Sequence, residues 1–188
     1  MRGLAAQPDL EARSAEEVLA DAIERFHPRL ALACSFQKEE SVLLHMLMRL
    51  RPDARVFTID TGVLFEETRE PWSAEHCCSA QKVAALERAL GDLGAWVTGL
   101  RREQSATRAD AAKLEWDEPH GLWKFNPLAD WSDRDVWRFI SEHDLPYNPL
   151  HDRGYESIGC APCTNPGSGR EGRWAGQERT ECGLHGEG

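Results

Sequence analysis

The sequence predicts an α/β fold, a mostly parallel sheet flanked by helices. Three observations carry this. Residues 30–34, 55–60 and 95–99 form short runs dominated by apolar or β-branched side chains. The segments between them repeat their apolar residues at helical spacing. Each run gives way to polar or glycine residues, at Ser35, Thr61-Gly62 and, one residue on from the third run, Arg101-Arg102. Short continuous apolar runs suit strands buried on both faces, and their alternation with helices suits parallel crossover units. In such sheets ligands sit beyond the carboxyl ends of the strands.

The elements follow in order. Residues 14–26 predict a helix, because Ser14 and Glu17 form a capping-box pattern and Val18, Leu19, Ala22, Ile23 and Phe26 line one face. Residues 30–34, Leu-Ala-Leu-Ala-Cys, predict the first strand. Residues 35–39 are polar, and helical periodicity returns over 40–50 before Pro52. Residues 55–60 predict the second strand, 79–90 a helix with Val83, Leu86 and Leu90 on one face, and 95–99 the third strand. Residues 113–116 and 122–125 predict two short strands. Ser132, with Asp135 three residues on, predicts a capped helix to about His143, stopped by Pro146. Beyond Asn148 the chain is rich in Gly, Pro, Asn and Ser. That tail reads as irregular structure carrying sites, flexible over about 164–188, within a single domain spanning 1–188.

With 188 residues and 41% hydrophobic content, the chain has the length and composition of one globular domain. Its formal net charge of −10 disfavours nucleic acid and anionic membranes as partners. An anionic ligand therefore needs a local basic pocket. No apolar run reaches membrane-spanning length, and residues 1–26 lack the apolar core of a secretory signal. The expected compartment is the reducing cytoplasm, where paired cysteines more often mean metal or catalysis than disulfides.

The cysteines are Cys34, Cys77, Cys78, Cys160, Cys163 and Cys182. Cys77-Cys78 is an adjacent pair and Cys160-Ala-Pro-Cys163 a C-x-x-C. Four thiolates suit zinc or an iron–sulfur cluster. Adjacent cysteines project in different directions, which favours a cubane with its irons spread apart over one tetrahedral ion. A structural zinc, or a redox dithiol beside unrelated buried cysteines, stays open at this stage. Cys34 reads as a buried strand residue.

Three further groups stand out. Ser35-Phe-Gln-Lys-Glu-Glu-Ser41 lies between a strand and a helix, where backbone N–H groups suit a phosphate, with Lys38 as counter-charge. It is not a Walker loop, and an ordinary polar loop explains it equally well. Arg101, Arg102 and Arg108 follow the third strand, and Arg170 and Arg173 follow the C-x-x-C. Arginines in loops suit bidentate binding of phosphate and sulfate, although solvated surface arginines are commoner. Glu181-Cys-Gly-Leu-His185 places a cysteine beside a glycine near the end of the sequence. Neighbouring arginines would favour its thiolate.

These pieces together resemble the assimilatory adenylyl-sulfate reductases of the phosphoadenylyl-sulfate reductase family. The matching residues are Ser35 to Ser41, Phe57-Thr-Ile-Asp-Thr-Gly62, Cys77-Cys78 with Lys82, Thr98-Gly-Leu-Arg-Arg-Glu-Gln104, and Asn126-Pro-Leu-Ala-Asp-Trp131. They continue with Pro146-Tyr-Asn-Pro-Leu-His151, Ser157-Ile-Gly-Cys-Ala-Pro-Cys163, Gly172-Arg-Trp174 and Glu181 to His185. The resemblance implies an adenine-nucleotide α-hydrolase-like fold and a [4Fe–4S] cluster on Cys77, Cys78, Cys160 and Cys163. It implies adenosine 5′-phosphosulfate as substrate, since members acting on the 3′-phosphorylated form usually lack these cysteines. It implies attack by Cys182 on the sulfate sulfur, expelling AMP, then release of sulfite by thioredoxin or a similar dithiol. By motif position, Ser35 and Lys38 line the phosphate loop, and Asp60, Gly99 and Arg108 belong to the substrate site. Arg170 and Arg173 meet the phosphosulfate with His185 nearby, and Lys82 couples cluster and substrate. A homo-oligomer is compatible with this reading.

One departure stands out. Family members carry a longer stretch between the Asp-Thr-Gly strand and the Cys-Cys helix, whereas here only residues 63–76 intervene. A strand–helix unit is expected to be missing between about 70 and 75. The alternatives are a 3′-phosphoadenylyl-sulfate or dual-substrate reductase, and a degenerate, non-catalytic metal-binding scaffold. An ATP-pyrophosphatase-type ligase or thiolase would need a Ser-Gly-Gly-x-Asp-Ser loop that this sequence lacks.

Overall fold

The computed structural model describes residues 8–69 and 80–174. The first helix, α1 (Ala15–Phe26), starts as its sequence dictates. Ser14 Oγ accepts from the Glu17 N–H at 3.2 Å, and the Glu17 carboxylate accepts from the Ser14 N–H at 2.7 Å. Val18, Leu19 and Ala22 are buried. Strand β1 (Leu30–Ala33) leads into α2 (Lys38–Leu50), then β2 (Arg55–Phe57) and a short helix α3 (Glu66–Arg69). Helix α4 (Ala80–Leu90) returns the chain to β3 (Ala95–Val97). Strands β4 (Leu114–Asp117) and β5 (Leu122–Phe125) form a hairpin, and α5 (Asp133–Glu142) follows. Ser132 caps α5 through the Asp135 N–H at 3.1 Å, as expected from the sequence.

The sheet order is β2-β1-β3-β5-β4. β1 pairs in parallel with β2 and β3, β3 pairs in parallel with β5, and only β4 runs antiparallel. Register puts Leu30 opposite Ala95 and Leu32 opposite Val97. Alternation along β1 separates the two faces. Leu30 and Leu32 join α1, α2 and α5 in one apolar core, while Ala31 packs with Trp96, Leu86 and Leu90 on the other. The expected doubly covered sheet is therefore present.

Three boundaries differ from the sequence reading by two residues or more. β2 and β3 end at Phe57 and Val97, because the chain leaves the ladder there to wall a cleft. Helix α2 begins at Lys38, two residues early, since the Gln37 N–H already donates to the Glu40 carboxyl at 3.1 Å. From Asn148 to Trp174 the chain is irregular apart from short 3₁₀ turns at His151–Arg153 and Ala161–Cys163. Among the described residues no helix is long and apolar enough to cross a membrane.

Candidate active site

Topology fixes where the site lies. The chain passes from β1 outward to β2, then returns to β3 on the other side of β1. The switch point beside β1 leaves a crevice at the carboxyl ends of these strands. A cleft of about 1050 Å³, open to solvent, occupies that position. Cys34, Ser35 and Gln37 wall it after β1, Thr58, Ile59 and Thr61 after β2, and Thr98, Gly99 and Leu100 after β3. Arg108, Arg170 and Arg173 reach it from later segments.

The loop after β1 is shaped by a carboxylate. Glu40 accepts from the Ser35 hydroxyl at 2.8 Å and from the Gln37 N–H at 3.1 Å. Burial, and secondarily the neighbouring Glu39, push its carboxyl up to about 8 against the pull of those two bonds. Gly99 lies hard against this acid. A Cβ there would stand 2.5 Å from Glu40 Oε1 and 2.8 Å from Glu39 Cβ. The glycine is thus required for the close approach of strand end and loop. Burial, with Glu40 beside it, raises the Cys34 thiol to about 12 and keeps it protonated.

Three of the cations singled out in the sequence, Lys38, Arg101 and Arg102, are engaged elsewhere. The buried Lys38 ammonium pairs with Asp133 at 2.5 Å and lies 5.3 Å from the Trp137 ring centroid. It does not wall the cleft. Arg101 donates to Glu39, Glu103 and Asp133 at 2.9, 3.3 and 2.9 Å. Arg102 bonds the Ala111 carbonyl and Glu11. Arg108 is buried and donates to Gln104 at 2.5 Å. Asp60 folds back on itself, Oδ1 accepting from the Gly62 N–H at 2.7 Å.

The C-x-x-C turn docks onto the same strand ends. Cys160 forms a bridge with Leu64, and the Ala161 N–H donates to the Val63 carbonyl at 2.7 Å. Thr61 Oγ1 lies 3.2 Å from Cys160 Sγ. Gln37 of the loop after β1 accepts from the Ile158 N–H at 2.8 Å. The turn is closed internally by the Cys163 N–H and the Thr164 hydroxyl, both donating to the Cys160 carbonyl. Cys160 is buried and Cys163 half-buried. Two sulfurs presented from one turn at the rim of the cleft are a donor set suited to a thiolate-ligated metal or cluster. Helix α4 runs back along the sheet to β3, so it begins at this same end. Cys77 and Cys78 precede it in sequence and, like Cys182 and His185, lie outside the described residues. Lys82 falls in α4.

Sequence reasoning passed over Gln37 and Glu40 as individual groups. The Gln37–Glu40 spacing of an N-terminal cap was the available signal.

Residues 29–74 and 69–166 match the phosphoadenosine phosphosulfate reductase domain, in two pieces that meet at 69–74. An adenosine 5′-phosphosulfate reductase of Salinibacter ruber is 39% identical over 214 residues, covering 93% of this chain and 85% of that protein. A phosphoadenosine 5′-phosphosulfate reductase of Gloeobacter violaceus is 40% identical over 211 residues, covering 90% and 88%. Among solved structures, a phosphoadenylyl-sulfate reductase of Candida auris superposes with a TM-score of 0.69 at 26% identity, over 83% of this chain and 92% of that one. An FMN adenylyltransferase of Candida glabrata, 15% identical with a TM-score of 0.64 over 88% and 70%, shares the fold. The chain belongs to the phosphoadenosine phosphosulfate reductase family.

Proposed function

We propose that this protein reduces adenosine 5′-phosphosulfate to sulfite and AMP in sulfate assimilation, with a thioredoxin-like dithiol as reductant. One observation carries the reading. The loop after β1, the strand ends and the C-x-x-C turn are bonded into one wall, through Gln37 to Ile158 and Val63 to Ala161, around a cleft that Arg170 and Arg173 also line. The first steps follow from this chemistry. The Cys182 thiolate attacks the sulfate sulfur; the S–O bond breaks and AMP leaves with the electron pair, giving a thiosulfonate on Cys182. A thiolate of the dithiol then attacks Cys182 Sγ and releases sulfite, and its second thiol resolves the mixed disulfide. Ser35, Asp60, Gly99 and Arg108 contribute the nucleotide and phosphate walls. Arg170, Arg173 and His185 offset charge on the phosphosulfate. Lys38 acts indirectly, by anchoring the start of α2. Cys77, Cys78, Cys160 and Cys163 would hold a [4Fe–4S] cluster, which supplies structural order and a local field beside Lys82.

The test combines anaerobic iron and sulfide analysis with a sulfite-release assay. Cys182→Ser is expected to lower sulfite release by at least about 10³-fold, in line with loss of a covalent nucleophile, while the visible chromophore persists. Loss of the chromophore in that variant, or zinc without iron in the wild type, would overturn the assignment. A second reading rests on the Gloeobacter relative, named for the 3′-phosphorylated substrate. Comparing kcat/KM with and without the 3′-phosphate separates the two, and preference for the phosphorylated form selects the second. Alignments of 214 positions exceed the 188 residues of this chain. This supports a family strand–helix unit missing after residue 69, and an assay negative for both substrates would favour a non-catalytic scaffold.

A further inference from the structure

Trp174 has no part in the chemistry above, yet it touches both halves of the site. Its ring carries two guanidiniums, with Arg173 Cζ 4.5 Å and Arg170 Cζ 5.2 Å from the centroid. The ring is only 4% exposed. The Trp174 backbone N–H donates to the Cys163 carbonyl at 2.8 Å, on the C-x-x-C turn. Its backbone is left-handed, with φ of 54°, a conformation a bulky residue holds only when its surroundings impose it.

Arg173 is fixed from several directions. Its Nη1 donates to the Ile158 carbonyl at 3.1 Å and to Ser157 Oγ at 3.3 Å. Its guanidinium lies across Gly159, where any Cβ would collide with it. A backbone bridge joins Arg173 to Thr164. Its Nε–H is buried without an acceptor among the described residues, and the residue walls the cleft.

We infer that Trp174 is a positioning residue whose indole holds Arg170 and Arg173 at the cleft and locks them to the C-x-x-C turn. The contrast with Lys38 and Arg101 gives the physical reason. Those two cations are neutralised by carboxylates. Arg173 makes no ion pair among the described residues and rests on a π face instead. A ring quadrupole attracts a cation without cancelling its charge, so the guanidinium remains available to an incoming anion. One indole also lies within cation–π reach of both guanidiniums, which offsets part of the cost of holding two like charges near one ring. Gly159 belongs to the same device, since its missing Cβ gives the guanidinium its berth.

This inference rests on the proposed reading that Arg170 and Arg173 meet an anionic substrate. The experiment replaces Trp174 with a series of increasingly fluorinated tryptophans, which weaken the ring quadrupole at nearly constant volume. KM and kcat for adenosine 5′-phosphosulfate are measured with iron content for each. KM is expected to climb steadily, by about tenfold across the series, in keeping with cation–π energies at buried sites. kcat and iron per chain are expected to stay near the parent value, because the backbone bond to Cys163 is untouched. Trp174→Leu is expected to raise KM further. The fluorinated series decides the matter if that variant folds poorly. Arg173→Ala separates the two levels of the argument. A KM insensitive to Arg173→Ala would overturn the reading of the arginines themselves. A KM raised by Arg173→Ala but flat across the fluorinated series would overturn the role of Trp174 alone.

Discussion

At the residue scale, the informative group is Glu40. The sequence directs attention to Lys38 as the charge that makes the loop after β1 an anion site, because a cation in a polar loop is the visible feature. The structure places that cation on Asp133 and gives the loop's shape to an acid. Lys38 is the first residue of α2, and its ammonium pairs there with Asp133 of the first turn of α5. Glu40 faces Glu39, the neutral Cys34 thiol, Ser35 and Gln37. Its carboxyl, held near 8 when folded against 4.5 when free, binds a proton in the native state that the unfolded chain releases. The stability it preserves is complete below about pH 4.5 and is lost as pH rises through about 8. Across that window the slope is up to about 1.4 kcal/mol per pH unit. Glu40→Gln keeps an acceptor for Ser35 and Gln37 but removes the titration. Thermal melts from pH 5 to 8 are expected to fall for the parent and stay level for the variant, which becomes the more stable protein at the alkaline end. Parallel curves would show that Glu40 titrates normally.

At the element scale, capping was the most legible feature. Ser14 with Glu17 and Ser132 with Asp135 form the reciprocal caps their spacing predicts, since each depends only on residues three apart. The ends of β2 and β3 were less legible, because apolar character continues past the last ladder bond into residues that wall the cleft. The joint between α2 and α5 was not legible at all. Lys38 at the head of α2 and Arg101 beyond β3 converge on Asp133 in the first turn of α5. Both cations are buried, while the Asp133 side chain is 43% exposed. Three residues this far apart in sequence meet because β1, β3 and β5 lie side by side in the sheet. Asp133→Asn leaves Lys38 with the Trp137 face alone and removes one of the three carboxylates that compensate Arg101. The expected loss is about 2 kcal/mol, below that for a fully buried partner because Asp133 retains solvent contact. Chemical denaturation should register this as a lower midpoint at unchanged slope, and a midpoint shifted by less than about 0.5 kcal/mol would mean that solvent already screens the cluster.

At the scale of the whole molecule, handedness explains both the location of the cleft and an unusual edge. Right-handed crossovers that move outward from β1 to β2 place α2 on one face of the sheet, and the return towards β3 places α4 on the other. A further outward step from β2 would lay its helix beside α2 and its strand along β2. Among the described residues nothing covers either place. β2 is the sheet edge, with Arg55 and Val56 exposed, and a groove of about 1340 Å³, open to solvent, runs along α2, walled by Leu44, Met48, Leu145 and Pro146. Glu67 and Thr68 of α3 already enter that groove. The aligned relatives are longer than this chain over the matched span, and the matched pieces meet at 69–74. The residue count between motifs leads to the expectation of a shortened crossover, and the sheet order shows which surface such a shortening would uncover. Grafting the relatives' additional segment between residues 69 and 80 should therefore cover apolar surface at both places. If it buries even a few apolar side chains, the gain is a few kcal/mol, and for a domain of this size the melting temperature is expected to rise by about 5 °C or more. Binding of a hydrophobic dye should fall in step. An unchanged or lower melting temperature with undiminished dye binding would show that the short crossover is complete as it stands, and that the groove beside α2 is a surface of the native protein.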